Sequence, residues 1–408
     1  MTSIVHIAGA GAAAPDSLPV AERNNAHGKL CVVRLALANF RSYSSIELVA
    51  SGRPVVLAGA NGAGKTNLLD AISLLSPGRG LRGARLSDHI RKAPQTTPLG
   101  ALWAVNATVS REGETYEIGT ALVPSPAGSE RRLVHLNGAP AQSSAELGEV
   151  VQMAWLTPAM DRLFTEGASG RRRFLDRLVL GFDAVHAQRS LRYERAMQER
   201  ARLLKYGPRD PAWLDGLEAE MAEAGIAIAA ARAETIERLN RALAGREEAG
   251  AFPCAQLALV GEVDQLLTEL GEGARADLQE RLGRLRMRDA EMRRTTLGPH
   301  VSDLAVRHAR KRMDARDCST GEQKALLVSI VLADAWELAR LRGGRAPLLL
   351  LDEIAAHLDA RRRAALFEEI LALRAQAWMT GTDLSLFENL TSRADIFIVA
   401  DGELTRQE

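Results

Sequence analysis

Two short runs of unbroken apolar residues mark the ends of the chain. Val55-Val56-Leu57-Ala58 leads into a glycine-rich segment, and Leu348-Leu349-Leu350-Leu351 ends in the acids Asp352-Glu353. Runs this short and uniform predict buried parallel strands, which deliver whatever follows them to the carboxyl edge of a sheet. Asn67-Leu68-Leu69-Asp70-Ala71-Ile72 predicts a helix after the first run. Ala325-Leu326-Leu327-Val328-Ser329-Ile330 predicts a long apolar helix opened by a polar turn. From Trp213 to Leu239, Leu217, Met221, Ile228 and Ile236 recur among alanines and acids, which predicts a long amphipathic helix packing inside its own lobe. Phe174, Leu175 and Leu178 predict the start of another packed helix, and the arginines before them, Arg171 to Arg173, suit packing and phosphate contact equally.

The segment after the first strand, Gly59-Ala60-Asn61-Gly62-Ala63-Gly64-Lys65-Thr66, fits the phosphate-loop pattern, and the strand and helix around it are what the pattern requires. Gly59, Gly62 and Gly64 let the backbone turn its amides inward, so that loop, Asn61, and the helix start at Asn67 meet phosphates together. Lys65 is expected to reach the β and γ oxygens, and Thr66 to ligate magnesium. Asp352 is expected to hold the same magnesium and Glu353 to polarise the attacking water. The expected ligands are therefore ATP and Mg2+.

Cys318-Ser319-Thr320-Gly321-Glu322-Gln323-Lys324 opens the long apolar helix. Read alone, it is either a helix cap built on Ser319 or Thr320, or a small-residue turn able to approach a phosphate. It resembles the signature motif of the ABC-type ATPases. In that family the motif closes over the nucleotide of a second subunit, so the resemblance implies an ATP-dependent homodimer with Ser319 and Gly321 as contacts. Ala355-Ala356-His357-Leu358-Asp359 resembles the next element of those proteins, which implies that Asp359 reaches across the dimer.

Roughly 290 residues separate Lys65 from Asp352, so a whole lobe is inserted between the motifs, a layout shared with SMC-like ATPases. The insert holds only about 120 residues, is broken at Gly207-Pro208 and Phe252-Pro253, and lacks a C-x-x-C hook, so a short helical arm is expected in place of a long coiled coil. Four further segments narrow the resemblance. They are Leu37-Ala38-Asn39-Phe40-Arg41-Ser42-Tyr43, Leu68 to Ile72 with Leu75 to Arg82, Arg171 to Asp176, and Gly298-Pro299-His300-Val301-Ser302-Asp303-Leu304. With the nucleotide motifs they resemble the RecF family of ABC/SMC-like ATPases over about residues 30 to 402.

The resemblance implies a slow ATPase used as a switch, binding of duplex DNA or of junctions between single and double strands, and assistance to RecR and RecO in loading RecA. An SMC-like head that bridges DNA is the alternative, and a transporter motor comes third. Ala377-Trp378-Met379-Thr380-Gly381-Thr382-Asp383 offers threonines where transporter motors place a histidine. The glutamine such enzymes place between magnesium and the inserted lobe falls near Gln152 to Pro158, with Gln152 as the candidate.

The expected fold is an α/β ATPase head with a mixed sheet, antiparallel near the N-terminus and parallel at its core, plus an inserted α-helical lobe. Its parts are a tail over residues 1–28, the first part of the head over 29–165, the arm over 166–290 and the rest of the head over 291–408. The tail carries Ala, Gly and Pro without the build of a signal peptide, and reads as mobile. With 408 residues, 46% apolar and 25% charged, and no run long enough to span a bilayer, composition points to a cytoplasmic enzyme without a membrane partner. Three scattered cysteines argue against a disulfide framework or a zinc site.

A net charge of +1 decides nothing about DNA. Bases gather at Arg79, Arg82, Arg85, Arg91 and Lys92, and again at Arg189, Arg192, Arg195, Arg200, Arg202 and Lys205. Each group suits a solvated ion-paired face as well as phosphate contact. Few aromatics accompany them, so backbone contact is expected over base stacking.

Overall fold

The computed structural model describes residues 28–92, 101–124, 130–207, 210–246 and 251–407; the expected N-terminal tail lies outside them, apart from Gly28. The chain opens with the hairpin β1 (Cys31–Phe40) and β2 (Tyr43–Val49), then strand β3 (Val55–Ala58), the glycine-rich loop and helix α1 (Lys65–Ser73). Strands β4 (Trp103–Arg111), β5 (Glu114–Pro124), β6 (Glu130–Leu136) and the two-residue β7 (Ala139–Pro140) join the hairpin in an antiparallel sheet of order β2-β1-β4-β5-β6-β7. Buried and half-buried positions alternate along the second half of β5, because only one face of this sheet is covered.

Strand β8 (Met153–Leu156) precedes the helices α2 (Ala168–Phe182), α3 (His186–Tyr206) and α4 (Pro211–Ala244). Strand β9 (Ala255–Val260), helices α5 (Glu262–Leu270), α6 (Ala274–Arg284) and α7 (Arg286–Met292), and strands β10 (Asp303–His308) and β11 (Met313–Asp314) follow. Helix α8 (Thr320–Leu341), strand β12 (Leu348–Leu351), helix α9 (Ala360–Ala372) and strands β13 (Ala377–Gly381), β14 (Asp395–Ala400) and β15 (Glu403–Gln407) complete the chain.

The two apolar runs meet in one sheet of order β15-β14-β3-β13-β12-β8, parallel except for the edge strand β15. Every residue of β3 and β12 is buried, as both faces are covered. Side chains still alternate. Val55, Leu57, Leu348, Leu350 and Trp378 face a core shared with α1 and the antiparallel sheet. Val56, Leu349, Leu351 and Met379 face a core built from α8, α9 and Phe387. The mixed head of antiparallel and parallel sheets is thus the expected one.

Two buried polar side chains tie the ends of the chain. Gln376 accepts from the Val32 amide at 2.8 Å and donates to the Val32 carbonyl at 3.0 Å, acting as an extra peptide unit between the sheets. Asp395 accepts from the amide and hydroxyl of Ser51 at 2.7 and 2.8 Å.

In the inserted lobe α3 and α4 pack as a pair around Tyr193, Ala196, Met221 and Ile228, with Leu278 and Leu282 of α6. The expected amphipathic helix lies within α4, and the expected break falls between α3 and α4, although Pro208 is outside the described residues. The lobe is not purely helical, since β9 pairs along its length with β10. No described helix is long and apolar enough to cross a membrane.

Candidate active site

The glycine-rich loop turns between β3 and α1 through Gly62 at φ 83° and Gly64 at φ 113°, conformations that L side chains rarely adopt. Space also demands glycine. A Cβ on Gly59 would lie 2.2 Å from the Val399 carbonyl oxygen, and one on Gly64 would lie 2.6 Å from the Tyr43 hydroxyl and 2.8 Å from Ser42 Oγ. Strands β14 and the β1–β2 turn therefore press on the loop from two sides. The Lys65 ammonium donates to the carbonyls of Gly59 at 2.7 Å and Ala60 at 2.8 Å, which curls the loop over its own lysine. Burial lowers the pKa of Lys65, against the opposing pull of the Glu353 and Asp352 charges. Asn67 donates to Ser42 Oγ at 2.9 Å, and Asn61 and Gly62 are exposed.

The distant acids arrive at this loop through the parallel sheet. Thr66 Oγ1 donates to Asp352 Oδ1 at 2.9 Å, across 286 positions of sequence. Thr380, at the end of the neighbouring strand β13, donates to the same oxygen at 2.8 Å and accepts from the Glu353 amide at 2.8 Å. Burial raises the Asp352 pKa above the usual carboxylate range, and the two threonine hydroxyls offset part of that rise. Glu353 is half-buried with φ 52° and ψ 18°, a left-handed conformation that only Gly, Asn and Asp adopt readily. The Thr380 hydroxyl thus holds both acids, one through its carboxylate and the other through its backbone.

Sequence reasoning registered Thr380 only as the absence of a histidine. Its signal was available: a hydroxyl at the carboxyl end of a strand adjoining the acidic strand. Also unanticipated is the support behind α1, where Arg41 donates to Asp70 at 2.8 Å and Phe40 stacks on buried His89 with ring centroids 5.2 Å apart. Burial lowers the His89 pKa, despite the nearby Asp70 charge. The Gln152 candidate does not reach the site. It precedes β8, its carbonyl accepts from Leu348 at the amino end of β12, and its side chain donates to the Gly148 carbonyl. At the carboxyl end of β8 the Leu156 carbonyl accepts from the Asp352 amide at 2.9 Å, and in the turn beyond it Asp161 accepts from Lys324 of α8 at 2.8 Å.

Ser319, Gly321 and Asp359 form a second, separate surface. Ser319 caps α8 and donates to Glu322 from its amide at 3.1 Å and its hydroxyl at 3.0 Å. Lys311, from the β10–β11 turn, pairs with the other oxygen of Glu322, and these partners hold that carboxyl down at about 2. Asp359 caps α9 by accepting from the Arg362 amide at 2.8 Å, and the Arg362 side chain reaches the Gly321 carbonyl at 3.5 Å. All three residues are exposed, and none contacts the glycine-rich loop among the described residues. Both halves of the motif set therefore face outward on the same chain without meeting.

The basic clusters separate. In the arm Arg200 is buried, with bonds to Glu218 at 2.9 Å and Asp289 at 2.7 Å, while Arg192 and Arg202 pair with neighbouring glutamates. That group is largely an ion-paired face. Arg79, Arg82 and Arg85 are exposed and make no ion pair among the described residues. Arg171 grips Asp303 with two bonds of 2.8 Å, and Arg172 donates to the Ser302 carbonyl at 2.8 Å. These two arginines form the joint between α2 and the segment leading into β10.

Comparison with known proteins follows the same outline. Residues 31–405 match the family model described as the RecF/RecN/SMC N terminal domain. The chain is 48% identical over 376 residues to the DNA replication and repair protein RecF of Rhizobium etli (strain CIAT 652), covering 92% of this chain and 99% of that one. It is 49% identical over 381 residues to the RecF of Agrobacterium fabrum, with 92% and 99% covered. Among solved structures it resembles a recombination mediator protein RecF with ATP, at a TM-score of 0.79 and 23% identity over 94% of this chain and 99% of the other. An Smc head domain from Pyrococcus furiosus follows at a TM-score of 0.51 and 18% identity, with 93% and 96% covered.

Proposed function

The chain belongs to the RecF/RecN/SMC family and, within it, to the RecF DNA replication and repair proteins, and on that footing we propose that it is an ATP-gated DNA clamp acting in recombinational repair. The observation that carries the reading is the chain of bonds Thr66 to Asp352 to Thr380 to Glu353, which sets two acids beside the phosphate loop at the carboxyl edge of a parallel sheet. Lys65 and the inward amides of the loop bind the ATP phosphates, with Gly62, Gly64, Asn61 and Asn67 shaping the cradle.

The Thr66 hydroxyl and the Asp352 carboxylate are hard oxygen donors and fit Mg2+. When bound, the ion neutralises charge on the β and γ phosphates. Glu353 orients the attacking water and accepts its proton. The left-handed backbone at Glu353, held by the Thr380 hydroxyl, pre-organises that carboxylate, and slow hydrolysis serves as a timer, in keeping with the family.

Dimerisation follows from incompleteness. Ser319, Gly321 and Asp359 are exposed and apart from the loop of their own chain, so they serve the nucleotide of a second copy. ATP then closes the dimer on duplex or gapped DNA, with Arg79 and Arg85 contacting phosphates, and hydrolysis reopens it. Arg82, whose charge acts on Asp352, belongs to the nucleotide side. RecR and RecO are the partners and RecA loading the outcome, in keeping with the family.

The test is DNA affinity by fluorescence anisotropy over a salt series, for duplex, gapped and single strands, with no nucleotide, ADP, or ATP and magnesium. Wild type is expected to bind duplex or gapped DNA with ATP, and Lys65→Met to lose that binding. Nucleotide binding without DNA affinity in any condition rejects the clamp.

A further inference from the structure

Two adjoining hollows of about 230 and 460 Å3 lie on the arm, far along the chain from the motifs above, and share Gln198, Ala201, Arg294 and Thr295. They run between α3, α7 and the turn that follows α7. The floor is apolar, built from Met197, Ala201, Leu204, Ala290 and Met292, with Val301 at one end. Several apolar groups here are open to solvent: Met292 is 43% exposed, Val301 46%, and Tyr206, at the other end, 76%. Exposed apolar residues that adjoin in one groove mark interaction surfaces more often than isolated ones.

The rim is basic. Several cations elsewhere on the arm are paired: Arg192 with Glu220 and Glu223, Arg281 with Glu262, and Arg286 with Asp215 and Glu218; at the groove itself Arg202 pairs with Glu199. Lys205, Arg288, Arg293 and Arg294 line the groove, and none of them makes an ion pair among the described residues. Arg288, Arg293 and Arg294 are all exposed, and Lys205 rests over the Tyr206 ring at 4.4 Å.

The groove is also rigid. Buried Asp289 accepts from Arg200 at 2.7 Å, from the Thr296 amide at 3.0 Å and from the Thr296 hydroxyl at 2.7 Å, which fixes the turn carrying Arg293 and Arg294. Arg293 itself sits in the left-handed region at φ 52°, held by that turn. A fixed backbone beneath Arg293 and Arg294 reduces the ordering that binding requires.

We propose that this groove docks an acidic amphipathic helix of a partner protein, apolar face down on Met197, Met292 and Val301, with carboxylates against Arg288, Arg293, Arg294 and Lys205. Charge complementarity selects the occupant. A DNA backbone would use the cations but leave exposed Met292 and Val301 uncovered, whereas an acidic helix with an apolar stripe covers both.

The probe is a fluorescein-labelled peptide of about 18 residues with glutamates on one helical face and leucines on the other. Its affinity for the full chain is read by anisotropy, beside a version with lysines for the glutamates and one with serines for the leucines. Wild type is expected to bind the first peptide at least about tenfold more tightly than the other two. The double variant Arg288→Glu, Arg294→Glu and the single variant Met292→Ser are each expected to weaken it about tenfold. Arg275→Glu, an exposed arginine of α6 outside the groove, should leave it unchanged. ATP-dependent dimerisation is measured on every variant. Its retention shows that the variants fold and keeps this result separate from the nucleotide reading. The proposal is overturned if the first peptide fails to bind, if it binds the variants as it binds wild type, or if the double variant loses duplex affinity with peptide binding intact.

Discussion

Thr380→Val isolates the hydroxyl that links the two acids. Valine matches threonine in shape, so no cavity opens, and the change deletes one donor and one acceptor at a fully buried position. Two losses add. The bond to the Asp352 carboxylate at 2.8 Å is worth about 1.5–3 kcal/mol as a charge-assisted bond, and the Glu353 amide, left without its partner at 2.8 Å, costs about 1–2 kcal/mol. Stability of the head without nucleotide is therefore expected to fall by about 3 kcal/mol in urea unfolding at pH 7, with Thr380→Ser staying within about 1 kcal/mol of wild type. Function should fall further than nucleotide binding. Lys65 and Thr66 keep their places, while Glu353 loses the bond that holds its left-handed backbone, so single-turnover ATP hydrolysis is expected to drop by about 10- to 100-fold with ATP affinity changed only a few fold. The reasoning fails if valine and serine behave alike, or if valine costs ATP affinity as much as it costs hydrolysis.

Glu353→Gln is expected to hold an ATP-bound dimer on a sizing column, because the magnesium donors remain while water activation is lost; a mutant that stays monomeric with ATP bound counts against the assigned roles. Arg200→Met leaves buried Glu218 and Asp289 each short of a partner, and should destabilise the arm by about 3–5 kcal/mol in denaturant unfolding. In Asp303, burial pushes the carboxyl up but the Arg171 bonds more than reverse it, so its folded pKa lies below the unfolded one. The stability it contributes is present above about pH 4 and is lost as pH falls through the folded value, so Asp303→Asn should be less stable than wild type at pH 7, with the difference shrinking as the medium is acidified below about pH 4. Buried Cys31, whose thiol is pushed up to about 12 by burial, should resist iodoacetamide at pH 8 in the native protein and react in urea, as read by peptide mass spectrometry.

The parts legible from sequence were those whose chemistry is local. A strand, a glycine-rich turn and a helix start sit within a dozen positions of Gly59, and the apolar run before Asp352 is just as compact. The same holds for α4, whose periodicity is continuous. What escaped depends on neighbours distant in sequence. Thr380 gains its meaning from pairing of β13 with β12 and β3, which no local pattern announces. Gln152 was near the right strand but at its wrong end, since residue type alone does not say which edge of the sheet a flanking position occupies. Strand β9 escaped because its partner β10 lies beyond three intervening helices. Arg200 looked like one more base on a helical face, and only the packing of α3 against α4 and α7 makes it an internal cation.

The central position of β3 has a consequence for how the protein is made. Its two neighbours in the sheet are β13 and β14, roughly 300 residues later, so both of its edges stay unpaired until those roughly 300 further residues have left the ribosome. At about 5–20 residues per second that delay is roughly 15–60 s, during which an apolar strand waits open-edged beside a phosphate loop with nothing to anchor it. The hairpin β1–β2 and the strands that extend it can assemble early from nearby sequence, but the catalytic half cannot. A nascent chain of this protein is therefore a prolonged client for chaperones, and a message truncated anywhere before β13 yields a product with no working nucleotide site at all.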